Sequence, residues 1–152
     1  MGWRAILAAL AALCFCASAS AHTDGERQLA FLWPAQGTVT SPFGYDNGRW
    51  HSGIDIGILR SLTVRAAAPG VVVEAGYPAG FEGYGSVVIV EVAPGMTTLY
   101  AHLFSTSVRA GAYVRTGQVI GTAGCTGWCS GTHLHFEFRE HGAPADPRKL
   151  LG

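Results

Sequence analysis

The residues best suited to chemistry in this sequence are two histidines separated by a single residue. They lie in the stretch Gly131-Thr132-His133-Leu134-His135-Phe136-Glu137-Phe138. Strand side chains alternate between faces, so an extended conformation puts His133, His135 and Glu137 on one face and the apolar residues on the other. Paired imidazoles on a strand face indicate a metal or catalytic site. The motif alone also allows a polar face that meets only solvent, with Glu137 either orienting an imidazole or solvated.

A second stretch, His51-Ser52-Gly53-Ile54-Asp55-Ile56-Gly57, combines a histidine with a carboxylate. The alternating isoleucines predict a half-buried strand with His51 and Asp55 on the same face. A helix would also align this pair, but the closely spaced glycines disfavour a helix. In either geometry the two side chains point toward a common position, where Gly53 leaves room for an ion or a substrate backbone. The alternative is an ion pair at the surface.

A third candidate is His102, in the run Tyr100-Ala101-His102-Leu103. Alternation with Leu99 and Ala101 predicts that His102 leaves the core on the same face as Tyr100. For a single histidine, the alternative is a hydrogen-bonded role in the core or at the surface.

The elements that must position these residues are short β-strands. Apolar or alternating runs separated by turn residues such as Pro69-Gly70 and Pro94-Gly95 occur at 37–41, 51–57, 62–66, 71–75, 86–92, 97–103, 114–120 and 131–138. The chain has 21 glycines in 152 residues and no long helical stripe. This pattern predicts an all-β fold, a single antiparallel and sandwich-like domain over residues 29–152 with short loops around the candidate site.

Charge excludes some classes of partner. Lysine plus arginine number 10 and aspartate plus glutamate number 10, so we expect no surface for nucleic acid. The N-terminal apolar run at 6–15 is too short for a permanent transmembrane anchor. We therefore expect no nucleic-acid partner and no stable membrane anchor.

Residues 1–21 have the pattern of a cleaved secretion signal. Arg4 precedes the apolar run, and Ala19-Ser20-Ala21 is a cleavage site of the A-x-A type. The pattern predicts cleavage after Ala21, export to the periplasm or the extracellular space, and a flexible polar tail at 22–28.

Cleavage would leave two cysteines, Cys125 and Cys129, in the exported chain. Two thiols this close in an oxidising compartment predict a disulfide rather than free thiols or metal ligands. The bridge would stiffen the loop that leads to the histidine pair. Trp128 lies in that loop, either as an aromatic cap on the core or as a wall of a substrate groove.

These motifs resemble those of the lysostaphin/LytM-like family of zinc peptidoglycan endopeptidases, whose domain is of the duplicated hybrid motif type. Four marks occur in the family's order: His51-x-x-x-Asp55, Tyr100-Ala101-His102-Leu103, Gly117-Gln118-x-Ile120-Gly121 and the run from Gly131 to Glu137. The resemblance implies one zinc ion per chain, held by His51, Asp55 and His135. It also implies that His102 and His133 are the catalytic pair.

The implied activity is hydrolysis of peptide cross-links or bridges in bacterial peptidoglycan, by a zinc-activated water that two histidines assist. Tyr84, Tyr100 and Trp128 are candidate walls of the peptide groove, and we expect a monomer. The alternative is a non-catalytic module that activates another cell-wall hydrolase, but the complete set of site residues favours the enzyme. Where relatives often have Phe-Gly-x-Arg, this chain has Phe43-Gly44-Tyr45-Asp46, and an arginine follows only at Arg49.

Overall fold

The computed structural model describes residues 30–46 and 48–152. The predicted secretion signal and tail, residues 1–28, lie outside these described residues. The described chain forms short strands and two 3₁₀ turns, at Glu82–Tyr84 and Pro147–Lys149. None of its helical segments has the length and apolar character needed to cross a membrane. The strands are β1 (Thr38–Ser41), β2 (Gly44–Asp46), β3 (Arg49–His51), β4 (Ile54–Gly57), β5 (Thr63–Arg65), β6 (Gly70–Gly76), β7 (Val87–Ala93), β8 (Met96–Ala101), β9 (Leu103–Thr106), β10 (Tyr113–Val114), β11 (Val119–Ala123), β12 (Leu134–Glu140) and β13 (Ala143–Ala145).

The strands form one large sheet and two small ones. The large sheet has the order β1-β4-β12-β8-β7-β6-β10, with β13 also paired to β12. A second sheet has the order β5-β11-β9, and β2 and β3 form a separate hairpin. Every pair of strands in these sheets is antiparallel. The predicted all-β antiparallel fold is confirmed.

The main core combines residues of the large sheet with residues of the three-stranded sheet. Ile54 and Ile56 of β4 belong to the same buried cluster as Leu134 and Phe136 of β12. Val64, Leu103 and Ile120, from the strands of the small sheet, complete this cluster. Because strand side chains alternate, burying these apolar residues turns Asp55 and His135 to the opposite face of the large sheet.

That opposite face carries a smaller apolar cluster. Leu99 and Ala101 of β8 belong to it, and Phe81 and Tyr84 pack over it. In the pairing of β12 with β8, His135 lies opposite Ala101 and Glu137 lies opposite Leu99. The segment around the first 3₁₀ turn therefore covers the sheet next to the polar residues of β12.

The predicted strand at 51–57 is interrupted in the structure. It divides into β3 and β4, with Ser52 and Gly53 between them. A Cβ atom on Gly53 would lie 2.3 Å from the carbonyl oxygen of Phe136. The prediction that Gly53 makes room for an ion or a substrate is wrong, because its open side is filled by the backbone of β12.

The predicted position of Tyr100 is also wrong. Its side chain is fully buried in the main core, where its ring centroid lies 5.2 Å from that of Phe136. The buried amide of Ala67 donates a hydrogen bond of 2.7 Å to the Tyr100 hydroxyl. Tyr100 therefore supports the core and offers no surface to a substrate.

His102 does not share the face of Tyr100. It lies between β8 and β9 and has a φ of 59°. This left-handed conformation is uncommon for residues other than glycine and breaks the alternation of the strand. The centroid of the His102 ring lies 4.7 Å from the ring centroid of His133 and 5.9 Å from that of His135.

Candidate metal centre and active site

Three side chains converge where β3, β4 and β12 meet. His51 ends β3, while Asp55 and His135 lie opposite each other in the pairing of β4 with β12. His135 Nδ1 lies 2.8 Å from Asp55 Oδ1, and His51 Nε2 lies 3.1 Å from His135 Nδ1 and 3.2 Å from Asp55 Oδ1. Donor atoms around a tetrahedral zinc ion, with bonds of about 2.0–2.1 Å, are about 3.3 Å apart. The three groups could therefore hold a metal ion with small adjustments.

Hydrogen bonds fix which nitrogen each of these imidazoles offers. His51 Nδ1 lies 2.8 Å from the carbonyl oxygen of Pro42, so it carries the proton and leaves Nε2 as the donor atom. His135 Nε2 lies 2.9 Å from Glu137 Oε1, which leaves Nδ1 as the donor atom. Such partners orient ligands and select their tautomers in metal sites. The donor set of two imidazoles and one carboxylate thus suits zinc.

The Asp55 carboxylate influences the ionisation of both histidines in the cluster. Burial would raise the pKa of Asp55, but hydrogen bonds with His135 and His51 outweigh it and hold that pKa well below its usual range. Burial would lower the pKa of His135, but hydrogen bonds with Asp55 and Glu137 raise it to about 9. The hydrogen bond with Asp55 likewise raises the pKa of His51. The carboxylate therefore holds protons on its neighbours that a metal ion would displace.

Glu137 is the centre of a buried polar network behind His135. Its side chain has no solvent-accessible surface. Its Oε1 accepts hydrogen bonds from His135 Nε2 at 2.9 Å, from the Tyr84 hydroxyl at 2.8 Å and from Ser52, while Arg139 pairs with its Oε2. Burial would raise the pKa of Glu137, but the bonds with His135 and Arg139 lower it to about 2. Glu137 therefore orients the imidazole, and the solvated alternative is excluded.

His102 and His133 lie beside the three-residue cluster. His102 Nδ1 lies 2.8 Å from the carbonyl oxygen of Thr126, and His133 Nδ1 lies 2.7 Å from that of Gly131. A carbonyl can only accept, so both rings carry a proton on Nδ1, and Nε2 is the nitrogen left without a proton in the neutral form of each ring. His133 Nε2 lies 3.6 Å from Asp55 Oδ1. Burial lowers the pKa of His102 and so favours its neutral form.

These residues line an open groove of about 830 Å³. Its aromatic lining residues are Trp50, Tyr84 and Trp128, and it also contains Arg49 and Glu82. Trp128 is 85% exposed, so it does not cap the core. Of the three predicted groove residues, Tyr84 and Trp128 line the groove and Tyr100 does not.

The Cys125–Cys129 disulfide is confirmed, with 5.3 Å between the two Cα atoms. It closes the loop that precedes His133.

The sequence analysis did not identify Arg139, although alternation along β12 places it on the same face as His135 and Glu137. The sequence shows Arg49 only as the arginine that follows the Phe43-Gly44-Tyr45-Asp46 stretch, whereas in the structure it reaches the groove from the β2–β3 hairpin.

Comparison with protein families finds a match over most of the chain. Residues 49–147, which include all five candidate site residues, match the model of peptidase family M23. Over 115 residues the chain is 43% identical to the DD-carboxypeptidase/endopeptidase Mpg of Neisseria meningitidis serogroup B, covering 72% of this chain and 26% of Mpg. Over 119 residues it is 38% identical to the murein hydrolase activator NlpD of Escherichia coli, covering 78% of this chain and 30% of NlpD. The matched region thus spans less than a third of either relative.

Solved structures of similar fold include two named peptidases. The catalytic domain of the antimicrobial peptidase lysostaphin from Staphylococcus simulans has a TM-score of 0.61 and 31% identity, over 74% of this chain and 88% of that one. A zinc-containing peptidase from Vibrio cholerae has a TM-score of 0.67 and 29% identity, over 76% of this chain and 38% of that one.

Proposed function

Because the chain belongs to peptidase family M23, we propose that it is an exported zinc metalloendopeptidase acting on the peptides of bacterial peptidoglycan. The resemblance seen in the sequence is confirmed at the level of this family. One observation carries the proposal beyond the family. Three atoms that could hold a metal ion lie within 3.2 Å of one another, beside two histidines that each donate Nδ1–H to a backbone carbonyl.

The metal we propose is zinc, held by His51 Nε2, Asp55 Oδ1 and His135 Nδ1. Three protein ligands of this kind are the number found in catalytic rather than structural zinc sites. Zinc, when bound, supplies a Lewis acid and lowers the pKa of water, which provides a nucleophile at neutral pH. Asp55 offsets part of the metal's charge, and Glu137 keeps His135 in the tautomer that binds it.

His102 and His133 are the proposed catalytic pair. With Nδ1–H donated to a backbone carbonyl, each ring can accept a proton from the attacking water at Nε2. The imidazolium formed can then stabilise the oxyanion or return the proton to the leaving amine. The two histidines thus perform the tasks of base and acid.

The groove supports a peptide substrate. It is open rather than enclosed, and its aromatic walls at Trp50, Tyr84 and Trp128 can hold an extended chain of small residues. Arg49 and Glu82 provide one charge of each sign, which suits a peptide with free carboxylate and amino groups. We propose cross-links or bridges of peptidoglycan as the bonds cut.

The test is digestion of purified cross-linked peptidoglycan by the folded, zinc-loaded protein, with the released fragments resolved by mass. We expect cleavage that a zinc chelator stops and that added zinc restores. The fragment masses identify the bond. Absence of cleavage from both glycine-bridged and directly cross-linked walls would refute the proposal.

A second candidate function rests on the similarity to NlpD, which is named as a murein hydrolase activator. In that case the chain would stimulate another hydrolase without cutting peptides itself. The measurement is dye release from labelled peptidoglycan by a purified cell-wall amidase, with and without this chain. Stimulation that persists in a His102→Ala variant, together with no cleavage by the chain alone, would favour the activator.

Export is part of the proposal and rests on residues 1–21 of the sequence. The Cys125–Cys129 disulfide supports it, since such bonds persist in oxidising compartments. N-terminal sequencing of the exported protein is expected to begin at His22. A protein retained in the cytoplasm with its cysteines reduced would contradict export.

A further inference from the structure

The bridged loop, residues 125–129 between the disulfide cysteines, contains the residue that accepts a hydrogen bond from His102. Thr126 is the residue after Cys125, and its carbonyl oxygen accepts the hydrogen bond from His102 Nδ1 at 2.8 Å. This bond decides which nitrogen of His102 carries the proton. The position of the Thr126 carbonyl is therefore critical to the candidate catalytic pair.

Thr126 is itself fixed by two further hydrogen bonds. Its hydroxyl accepts from the backbone amide of Ser86 at 2.9 Å and donates to the carbonyl of Leu103 at 2.9 Å. Leu103 follows His102 directly, and the His102 amide donates to the carbonyl of Tyr84 at 2.9 Å. The Thr126 hydroxyl thus joins the loop to two segments, the one that follows the first 3₁₀ turn and the one that follows His102.

The loop is seated closely against the segment that ends the first 3₁₀ turn. A Cβ atom on Gly127 would lie 2.5 Å from the amide nitrogen of Gly85, and one on Gly85 would lie 2.4 Å from the carbonyl carbon of Thr126. The amide of Trp128 donates to the carbonyl of Gly83 at 2.9 Å. Because side chains are excluded from this contact, the backbone of the loop has little freedom to move inward.

The other end of the loop lies beside His133. The Sγ atom of Cys129 lies 3.0 Å from the carbonyl oxygen of Gly131 and 3.8 Å from His133 Nδ1. That carbonyl is the acceptor of the His133 Nδ1 proton, at 2.7 Å. The carbonyl that accepts from His102 Nδ1, that of Thr126, therefore lies inside the bridged loop. The carbonyl that accepts from His133 Nδ1, that of Gly131, lies two residues after the loop. The groups that accept hydrogen bonds from His51 and His135 belong to Pro42 and Glu137, which are outside this loop.

We propose that Thr126 is a positioning residue for the hydrolysis and that the Cys125–Cys129 disulfide holds it in place. The bridged loop fixes His102 with Nδ1 protonated, and its Cys129 end contacts the Gly131 carbonyl that accepts the proton of His133, while metal binding is left to other residues. This inference rests on the proposed peptidase function for its kinetic consequence. Its structural content, the tautomer of His102, is independent of that function.

The first experiment compares Thr126→Val with Thr126→Ser in the full exported chain. Valine has nearly the shape of threonine but lacks the hydroxyl, whereas serine keeps the hydroxyl. We expect kcat for release of peptidoglycan fragments to fall about tenfold or more in Thr126→Val, with KM within about twofold. Thr126→Ser is expected to retain most of the activity, and all variants should bind one zinc ion per chain.

The second experiment removes the bridge in the double variant Cys125→Ser/Cys129→Ser. A similar fall in kcat, again with zinc retained, is expected. In a His102→Ala background, Thr126→Val should have little further effect, because the two residues act through one hydrogen bond. Additive losses would show that Thr126 acts by another route and would overturn the proposal.

Imidazole ¹⁵N NMR of the zinc-loaded proteins provides a readout that does not depend on activity. In the wild type we expect His102 and His133 as single Nδ1–H tautomers. In Thr126→Val and in the cysteine double variant we expect mixed tautomers for His102. Wild-type tautomers with an unchanged kcat in these variants would overturn the proposal. If the wild type cleaves no peptide, the proposed function fails, and the NMR spectra alone decide whether the loop positions the histidines.

Discussion

Replacing Glu137 by glutamine tests the buried network that orients His135. The carboxylate accepts hydrogen bonds from His135, Ser52 and Tyr84 through Oε1 and pairs with Arg139 through Oε2. A glutamine has the same shape, but its NH₂ group must face either Arg139 or the other three donors. At least one donor is therefore left without an acceptor in either orientation, and the charge that supports the imidazole is lost.

Two effects of the substitution can be estimated, one on the free energy of unfolding and one on zinc affinity. The pKa of Glu137 is lowered from 4.5 to about 2, which corresponds to roughly 3 kcal/mol of stabilisation of the carboxylate at neutral pH. This stabilisation is complete above pH 4.5 and is lost as the pH falls toward 2. Loss of a partner that orients a metal ligand lowers metal affinity about 10–100-fold. We expect Glu137→Gln to show both effects.

The assays are competition for zinc against a chromophoric chelator and urea unfolding of the metal-free protein. Glu140→Gln is the matched control, because Glu140 is exposed at the end of the same strand. In unfolding, the difference between wild type and Glu137→Gln should shrink between pH 7 and pH 3. Zinc affinity of Glu137→Gln within twofold of both wild type and Glu140→Gln would refute the reasoning.

Three further predictions concern the core, the groove and the metal. Tyr100→Phe leaves the buried Ala67 amide without an acceptor, so we expect a loss of about 1–3 kcal/mol in unfolding free energy; an equal loss in the exposed control Tyr113→Phe would contradict this. Trp128→Ala should raise KM severalfold with kcat nearly unchanged, whereas Phe104→Ala, exposed outside the groove, should leave KM unchanged. Added zinc should raise the melting temperature of the chelated wild type but not of a His135→Ala variant, and equal shifts in both would place the ion elsewhere.

Much of the fold was predictable because it depends on alternation. Burial of Ile54, Ile56, Leu134 and Phe136 directs the polar residues between them to one face, and the antiparallel pairing of β4 with β12 then brings Asp55 opposite His135. The disulfide was predictable from cysteine spacing and export.

Alternation failed where the backbone leaves the strand. His102 has a positive φ, which alternation along a strand does not predict, and this conformation separates it from Tyr100. Gly53 was misinterpreted because contact with the backbone of β12 is a tertiary feature. The role of Thr126 was missed for a similar reason, since its three partners come from residues 23 to 40 positions away in the chain.

The most direct test of the proposed active site measures zinc content and catalytic rate on the same samples of wild type and His102→Ala. Zinc is quantified by elemental analysis, and rate by release of fragments from cross-linked peptidoglycan. If His102 acts on the reacting water, both proteins will hold one zinc ion per chain, and the variant will be about 10²–10⁴-fold slower. Cleavage at the wild-type rate by zinc-loaded His102→Ala, or no cleavage by zinc-loaded wild type, would contradict the proposed chemistry.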